Sequence, residues 1–137
     1  MSARSKARKR ALDILFSADL RGTSLPEALA DEANRAASEP EREASWLYAR
    51  EIVDGVIDHQ VEIDELITTY SRGWTLERMP AVDRAILRIA VWEISFNAEV
   101  PAAVAVTEAV DLAKDLSTDE SASFVNGVLA SISAASS

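Results

Sequence analysis

The chain has no cysteine among its 137 residues, so no disulfide staples it and no thiolate can act as nucleophile or metal ligand. It has one histidine, His59, with Asp58 and Glu62 nearby; an HExxH pair cannot be built, and no P-loop or GxGxxG occurs. Glycine and proline number four each, and no NG or DG hairpin signal stands between alternating flanks; Asp54-Gly55 lies inside a helical pattern. No run approaches the ~18 continuous apolar residues of a membrane span. The basic start is not followed by a clean apolar stretch, because Asp13, Asp19 and Arg21 break it, which argues against a signal peptide. These absences leave a soluble, intracellular, all-α protein without specified enzyme chemistry, metal or cofactor as the expectation. With 48% apolar and 27% charged residues, the composition is that of a folded domain.

What is present is a segregated charge. The first ten residues hold Arg4, Lys6, Arg8, Lys9 and Arg10 and no acid, while the rest carries nine cations against 23 acids. A tip of +5 thus sits on a body of −14, within a total of −9. On a helix, Arg4 and Arg8 are one turn apart, as are Lys6 and Arg10, forming a ladder suited to phosphate oxygens. A solvated tail or a solubility device is the competing reading. Positive charge at a helix N-terminus opposes the macrodipole, so helix stability does not explain its placement.

Apolar periodicity places a first helix over about Ala3–Leu20, stopped by Gly22. Ser24 and Glu27 form a capping box for a second, which ends near Ser38-Glu39-Pro40. A third covers about Glu41–His59, with Trp46, Leu47, Ile52, Val53, Val56 and Ile57 inward. A fourth covers Val61–Ser71, and a short segment runs from Thr75 to Pro80. The fifth, Val82–Asn97, is apolar except for a narrow sector holding Arg84, Arg88 and Ser95, which makes it central to the core. The sixth runs from Pro101 to Leu116, and Ser121 caps the seventh. The C-terminal Ser-Ala-Ala-Ser-Ser is expected to fray.

Glu93 falls on the apolar face of the fifth helix, where a carboxylate must be paired, hydrogen-bonded or protonated. It is either a structural carboxylate or a catalytic or partner-contacting one. Phe124 lies at the edge of its stripe in the first turn of the seventh helix; it either packs in the core or stacks a base beside the free N–H groups of the helix start. Trp46, Trp74 and Trp92 are expected to anchor packing. Asn126 and Gly127 suit close helix approach or a polar contact.

Pro80–Leu129 resembles the NusB transcription antitermination family. The likeness rests on Val82-Asp83-Arg84-Ala85-Ile86-Leu87-Arg88, Trp92-Glu93, Val100-Pro101, Glu108-Ala109-Val110-Asp111-Leu112-Ala113-Lys114 and Phe124-Val125-Asn126-Gly127-Val128-Leu129. The start, Ala7-Arg8, Ala11-Leu12 and Leu15-Phe16, is similar to the family's arginine-rich first helix. The resemblance implies a compact seven-helix bundle in two subdomains, one NusB-like domain over 1–137 with core helices at about 41–134. It implies a non-enzymatic factor that pairs with the small-subunit ribosomal protein also called NusE, binds the boxA element of nascent ribosomal RNA, and joins other Nus factors in an elongation complex.

By position, Arg4, Lys6 and Arg8 match the family's basic stretch at the RNA, and Lys9 continues it. Arg88 and Phe124 match RNA-side positions, and Glu120 stands where the family commonly has Asp. Asp83 lies at an acidic position on the NusE-facing side. Ser5 replaces a frequent basic residue and Phe16 a frequent Tyr. Two other readings keep the fold: a relative of the N-terminal part of ribosomal RNA cytosine methyltransferases, and a purely structural interaction module. A homodimer burying the first helix is a further expectation.

Overall fold

A computed structural model describes residues 2–136. It contains α1 (Ala3–Arg21), α2 (Leu25–Ala36), α3 (Glu43–Asp58), α4 (Gln60–Tyr70), α5 (Ala81–Phe96), α6 (Ala102–Leu116) and α7 (Asp119–Ser136), with single 3-10 turns at Pro40–Arg42 and Leu76–Arg78. There is no strand among the described residues.

Local chemistry sets most of the boundaries. The Ser5 N–H donates to Ser2 Oγ at 3.1 Å to open α1, and Gly22 closes it in the left-handed conformation at φ 66°. Ser24 accepts from the Glu27 N–H at 3.2 Å to open α2, with Pro26 in its first turn. Pro40 opens only a 3-10 turn, and α3 begins at Glu43. The start of α7 differs from expectation. Thr118 is its cap, accepting from the Ser121 N–H at 3.0 Å, and the helix begins at Asp119. Within the described residues α7 continues to Ser136, whose hydroxyl donates to the Ile132 carbonyl. Ser137 lies outside the described residues.

Helices α1, α2 and α3 form one group and α4, α6 and α7 gather around α5, which also packs on α1 and α3. One apolar cluster runs through both groups, with Ile52, Ile63, Ile67, Ile86, Leu87, Leu129 and Ile132 fully enclosed. The narrow polar sector of α5 faces other helices rather than water. Arg84 donates to Asp19 of α1, and Arg88 to Asp64 of α4. Leu47, expected inward, is 44% exposed, because Trp46, Ala49, Val53 and Val56 occupy the inner stripe of α3. Gly55 lets α3 and α5 approach closely: a Cβ there would stand 2.0 Å from Trp92 Nε1.

Two ion pairs fix how α1 lies on α5. Arg8 meets Glu93 and Asp19 meets Arg84, so the two helices are antiparallel. The basic start of α1 therefore sits at the C-terminal end of α5.

Candidate nucleic-acid interface

The apolar stripe of α1, Ala7, Ala11, Leu12, Ile14, Leu15 and Ala18, carries two of the five leading cations inward with it. Arg8 is only 3% exposed. Its Nε donates to both oxygens of Glu93, at 2.9 and 3.1 Å, and its Nη1 lies 3.4 Å from Glu108. The Tyr48 hydroxyl donates to Glu93 at 2.5 Å, and Asn97 Nδ2 donates to that hydroxyl at 3.1 Å. Burial alone would lower the Arg8 pKa, but the hydrogen bond and charge of Glu93, with Glu108, outweigh it and raise it. Burial, then the hydrogen bond and charge of Glu93, push the Tyr48 phenol up, so it stays a donor. Glu93 is thus satisfied from two helices, α1 and α3, as a carboxylate on an apolar face requires.

Arg10 is buried too. It donates to Ser45 Oγ at 3.0 Å, to the Arg42 carbonyl at 3.3 Å and to Glu32 at 3.2 Å, and stands 5.7 Å from the Trp46 ring centre. Arg8 and Arg10 are internal struts that hold the start of α1 against α3, α5 and α6. The expectation that Arg8 faces RNA is corrected on this point: its guanidinium is withdrawn from solvent.

Outside these struts lie Arg4, Lys6 and Lys9. Arg4 stands 4.9 Å over the Tyr48 ring and 3.3 Å from the exposed Glu99. Lys9 pairs with Asp13 at 2.9 Å across one turn. Lys6 is exposed and has no partner among the described residues. Exposed ion pairs of this kind are worth about 0–1 kcal/mol. Arg4 and Lys9 can therefore exchange their carboxylates for phosphates at little cost. A groove of about 450 Å³ runs beside them, lined by Lys6, Lys9, Asp13, Glu41 and Arg42 among others.

A second cluster forms at the other end of α5. The Ser121 hydroxyl donates to Asp83 Oδ2 at 2.7 Å, while Asp83 Oδ1 is buried without a hydrogen-bond partner. Asp83 is 3% exposed, so the expectation that it contacts a partner is corrected: its carboxylate is enclosed beneath a groove of about 550 Å³ bordered by Arg78, Glu120 and Phe124. Phe124 is half-buried, and its ring packs 5.8 Å from that of Trp74 at 43°. Trp74 is 53% exposed, against 8% for Trp46 and 6% for Trp92, so it does not serve as the packing anchor that all three were expected to be.

Arg88 belongs to neither cluster. Its Nε and Nη2 hold Asp64 at 2.9 and 3.2 Å, a two-point grip with the side chain 15% exposed. Between Asp83 and Glu93, α5 advances about 15 Å, so the basic start of α1 and the Phe124 cluster are two patches rather than one pocket. Sequence reasoning missed Tyr48, Asn97 and Glu108 as partners of the Arg8–Glu93 pair, and Trp74 as an exposed aromatic. For Trp74 a signal existed: it lies in a turn after Gly73, where no helical stripe buries it.

Among the described residues no group of side chains could hold a metal ion, and no helix is long and apolar enough to cross a membrane. Comparison with known proteins gives a consistent result. The chain is 70% identical over 135 residues to the transcription antitermination protein NusB of Clavibacter sepedonicus, covering 98% of each. It is 74% identical over 132 residues to that of Leifsonia xyli subsp. xyli, covering 96% of this chain and 92% of the relative. The fold matches T. maritima NusB with a TM-score of 0.81 at 31% identity, over 96% of this chain and 90% of the other. It also matches a chain in a crystal structure of antitermination factors NusB and NusE in complex with dsRNA, with a TM-score of 0.83 at 30% identity and 98% coverage of each. The NusB family profile covers residues 5–134, and the chain belongs to the NusB family.

Proposed function

We propose that the chain is a cytoplasmic, non-enzymatic transcription antitermination factor, acting as one NusB-like helical domain over residues 1–137. It pairs with the ribosomal protein NusE and binds the boxA element of nascent ribosomal RNA within an elongation complex. The observation that carries this reading is the start of α1, where buried Arg8 and Arg10 fix a helix end whose Arg4, Lys6 and Lys9 stand outward. The likeness to a NusB bound to NusE and dsRNA supports it.

In this reading Arg4, Lys6 and Lys9 meet phosphates, and Arg8 positions them. Phe124 and Glu120 border the second contact, where Glu120 moderates affinity by repulsion. Arg88 steadies α4 against α5 and reaches RNA only by releasing Asp64. Asp83 shapes the NusE-facing groove from beneath by holding the Ser121 hydroxyl at the start of α7.

The test is a boxA RNA titration at two salt concentrations, with and without NusE. NusE and RNA should each strengthen binding of the other. Changing Arg4, Lys6 and Lys9 together to Ala removes three phosphate contacts, so the slope of log K against log salt should flatten by about 2 for a single strand. A slope equal to the wild-type value would sink the assignment of these three residues.

A further inference from the structure

Trp74 separates two grooves of opposite character. On one side lies the groove with Asp83 and Glu120. On the other, between the turn after α4 and the outer face of α7, lies a groove of about 490 Å³ lined by Arg72, Trp74, Ser123, Phe124, Gly127 and Ser131 among others. No carboxylate lines this second groove, in a chain with 23 acids. Its one charged side chain, Arg72, is exposed and has no partner among the described residues. Arg72 also holds φ at 52°, a conformation rarely adopted by residues other than glycine and concentrated at functional sites.

Gly127 adds an independent observation. It lies within α7, where glycine weakens a helix relative to alanine. Its φ is not positive, and a Cβ built on it would meet nothing within 4 Å. Neither backbone conformation nor helix packing requires a glycine there. The absent side chain leaves the groove floor open beside Trp74 and Phe124.

We infer that this groove takes one nucleotide of single-stranded RNA, with the base stacked on the open face of Trp74 and the phosphate on Arg72. Phe124 packs beside the indole, its ring 5.8 Å away and tilted by 43°, and Ser123 and Ser131 offer hydroxyls to the base edge or ribose. The charge balance favours a polyanion over a basic or purely apolar protein segment, and an exposed indole beside a free guanidinium suits a base with its phosphate. This inference rests on the RNA-binding reading above and extends it from the charged end of α1 to a second, stacking contact.

The test uses the full chain, alone and with NusE, titrated with a single-stranded boxA oligonucleotide. RNA anisotropy reports binding, and tryptophan emission reports Trp74, the one exposed indole. Binding should quench that emission. Trp74→Ala should weaken binding on the order of 10-fold, while Trp74→Phe stays within about 3-fold of wild type and abolishes the quench. Gly127→Gln, which fills the groove without adding charge, should produce a comparable loss with melting temperature unchanged or higher. RNA that binds by anisotropy without quenching Trp74, and binds Gly127→Gln like wild type, overturns the inference and leaves the proposed function standing. Quenching by NusE alone, with no further change on adding RNA, overturns it in favour of a protein contact. No RNA binding in any arm defeats both.

Discussion

Arg8→Ala separates an internal strut from a phosphate contact. The substitution leaves Glu93, 1% exposed, with Tyr48 as its remaining side-chain donor. Removing one partner of a buried pair costs about 3–5 kcal/mol, because the other charge stays buried and uncompensated. An unfolding entropy near 2.1 cal/mol/K per residue makes each kcal/mol worth about 3.5 °C for a chain of this size, so Tm should fall by roughly 10–17 °C. Lys6→Ala, at an exposed and unpaired position, should stay within about 0.5 kcal/mol of wild type. Arg8→Met combined with Glu93→Leu removes both charges and should regain most of the loss, since buried pairs are often replaceable by packed apolar groups. Circular dichroism melts give stability, and RNA anisotropy at a temperature where each variant is folded gives binding. If Arg8→Ala melts like wild type and weakens RNA binding as much as Lys6→Ala, the guanidinium meets phosphate directly and the strut reasoning is refuted.

The Tyr48 phenol has its pKa raised in the folded state, so folding holds its proton where the unfolded chain, titrating near 10, has lost it. Stability from this group is present below about pH 10 and is lost as pH rises further. Wild type should therefore lose Tm between about pH 9.5 and 11 more steeply than Tyr48→Phe, and equal slopes would refute the coupling. Gly55→Ala places a Cβ 2.0 Å from Trp92 Nε1, so overpacking should outweigh the gain in helix propensity and destabilise by at least about 2 kcal/mol in a urea titration.

Angles around a helix were legible from spacing; the neighbours covering each turn were not. Arg4 and Arg8 share one face of α1, yet Arg4 stands in solvent and Arg8 is 3% exposed. The Tyr48 ring lies near both, but Arg8 meets the buried Glu93 and the half-buried Glu108 while Arg4 meets the exposed Glu99, and Glu93 and Glu108 lie 85 and 100 residues from Arg8. The need of Glu93 for a partner could be derived from its apolar face, but its identity could not. At the start of α7, Thr118 and Ser121 both offer capping hydroxyls, and local chemistry does not choose between them. Asp83 decides it by taking the Ser121 hydroxyl, leaving Thr118 as the cap. The family resemblance carried the fold correctly, while residue-by-residue transfer placed Arg8 and Asp83 on a surface from which packing removes them.

The net charge of −9 and an RNA partner are compatible because the two act over different distances. Eight of the 14 cations are held in ion pairs: Arg4, Arg8, Lys9, Arg10, Arg35, Arg42, Arg84 and Arg88. In the proposed contact, RNA meets a negative body from afar and Arg4, Lys6 and Lys9 within contact distance. At about 0.15 M salt the Debye length is about 8 Å, so acids farther away are screened and the local cluster decides. Near 0.01 M it reaches about 30 Å, and the whole body repels an approaching strand even as each phosphate contact strengthens. Lowering salt should therefore slow dissociation strongly while association stays flat or slows, unlike the steered encounters of oppositely charged partners. Stopped-flow anisotropy with labelled boxA RNA across that range resolves the two rates. An association rate that climbs steeply as salt falls would mean that the field of the α1 end outreaches the body behind it, and that the acids play no part in where RNA lands.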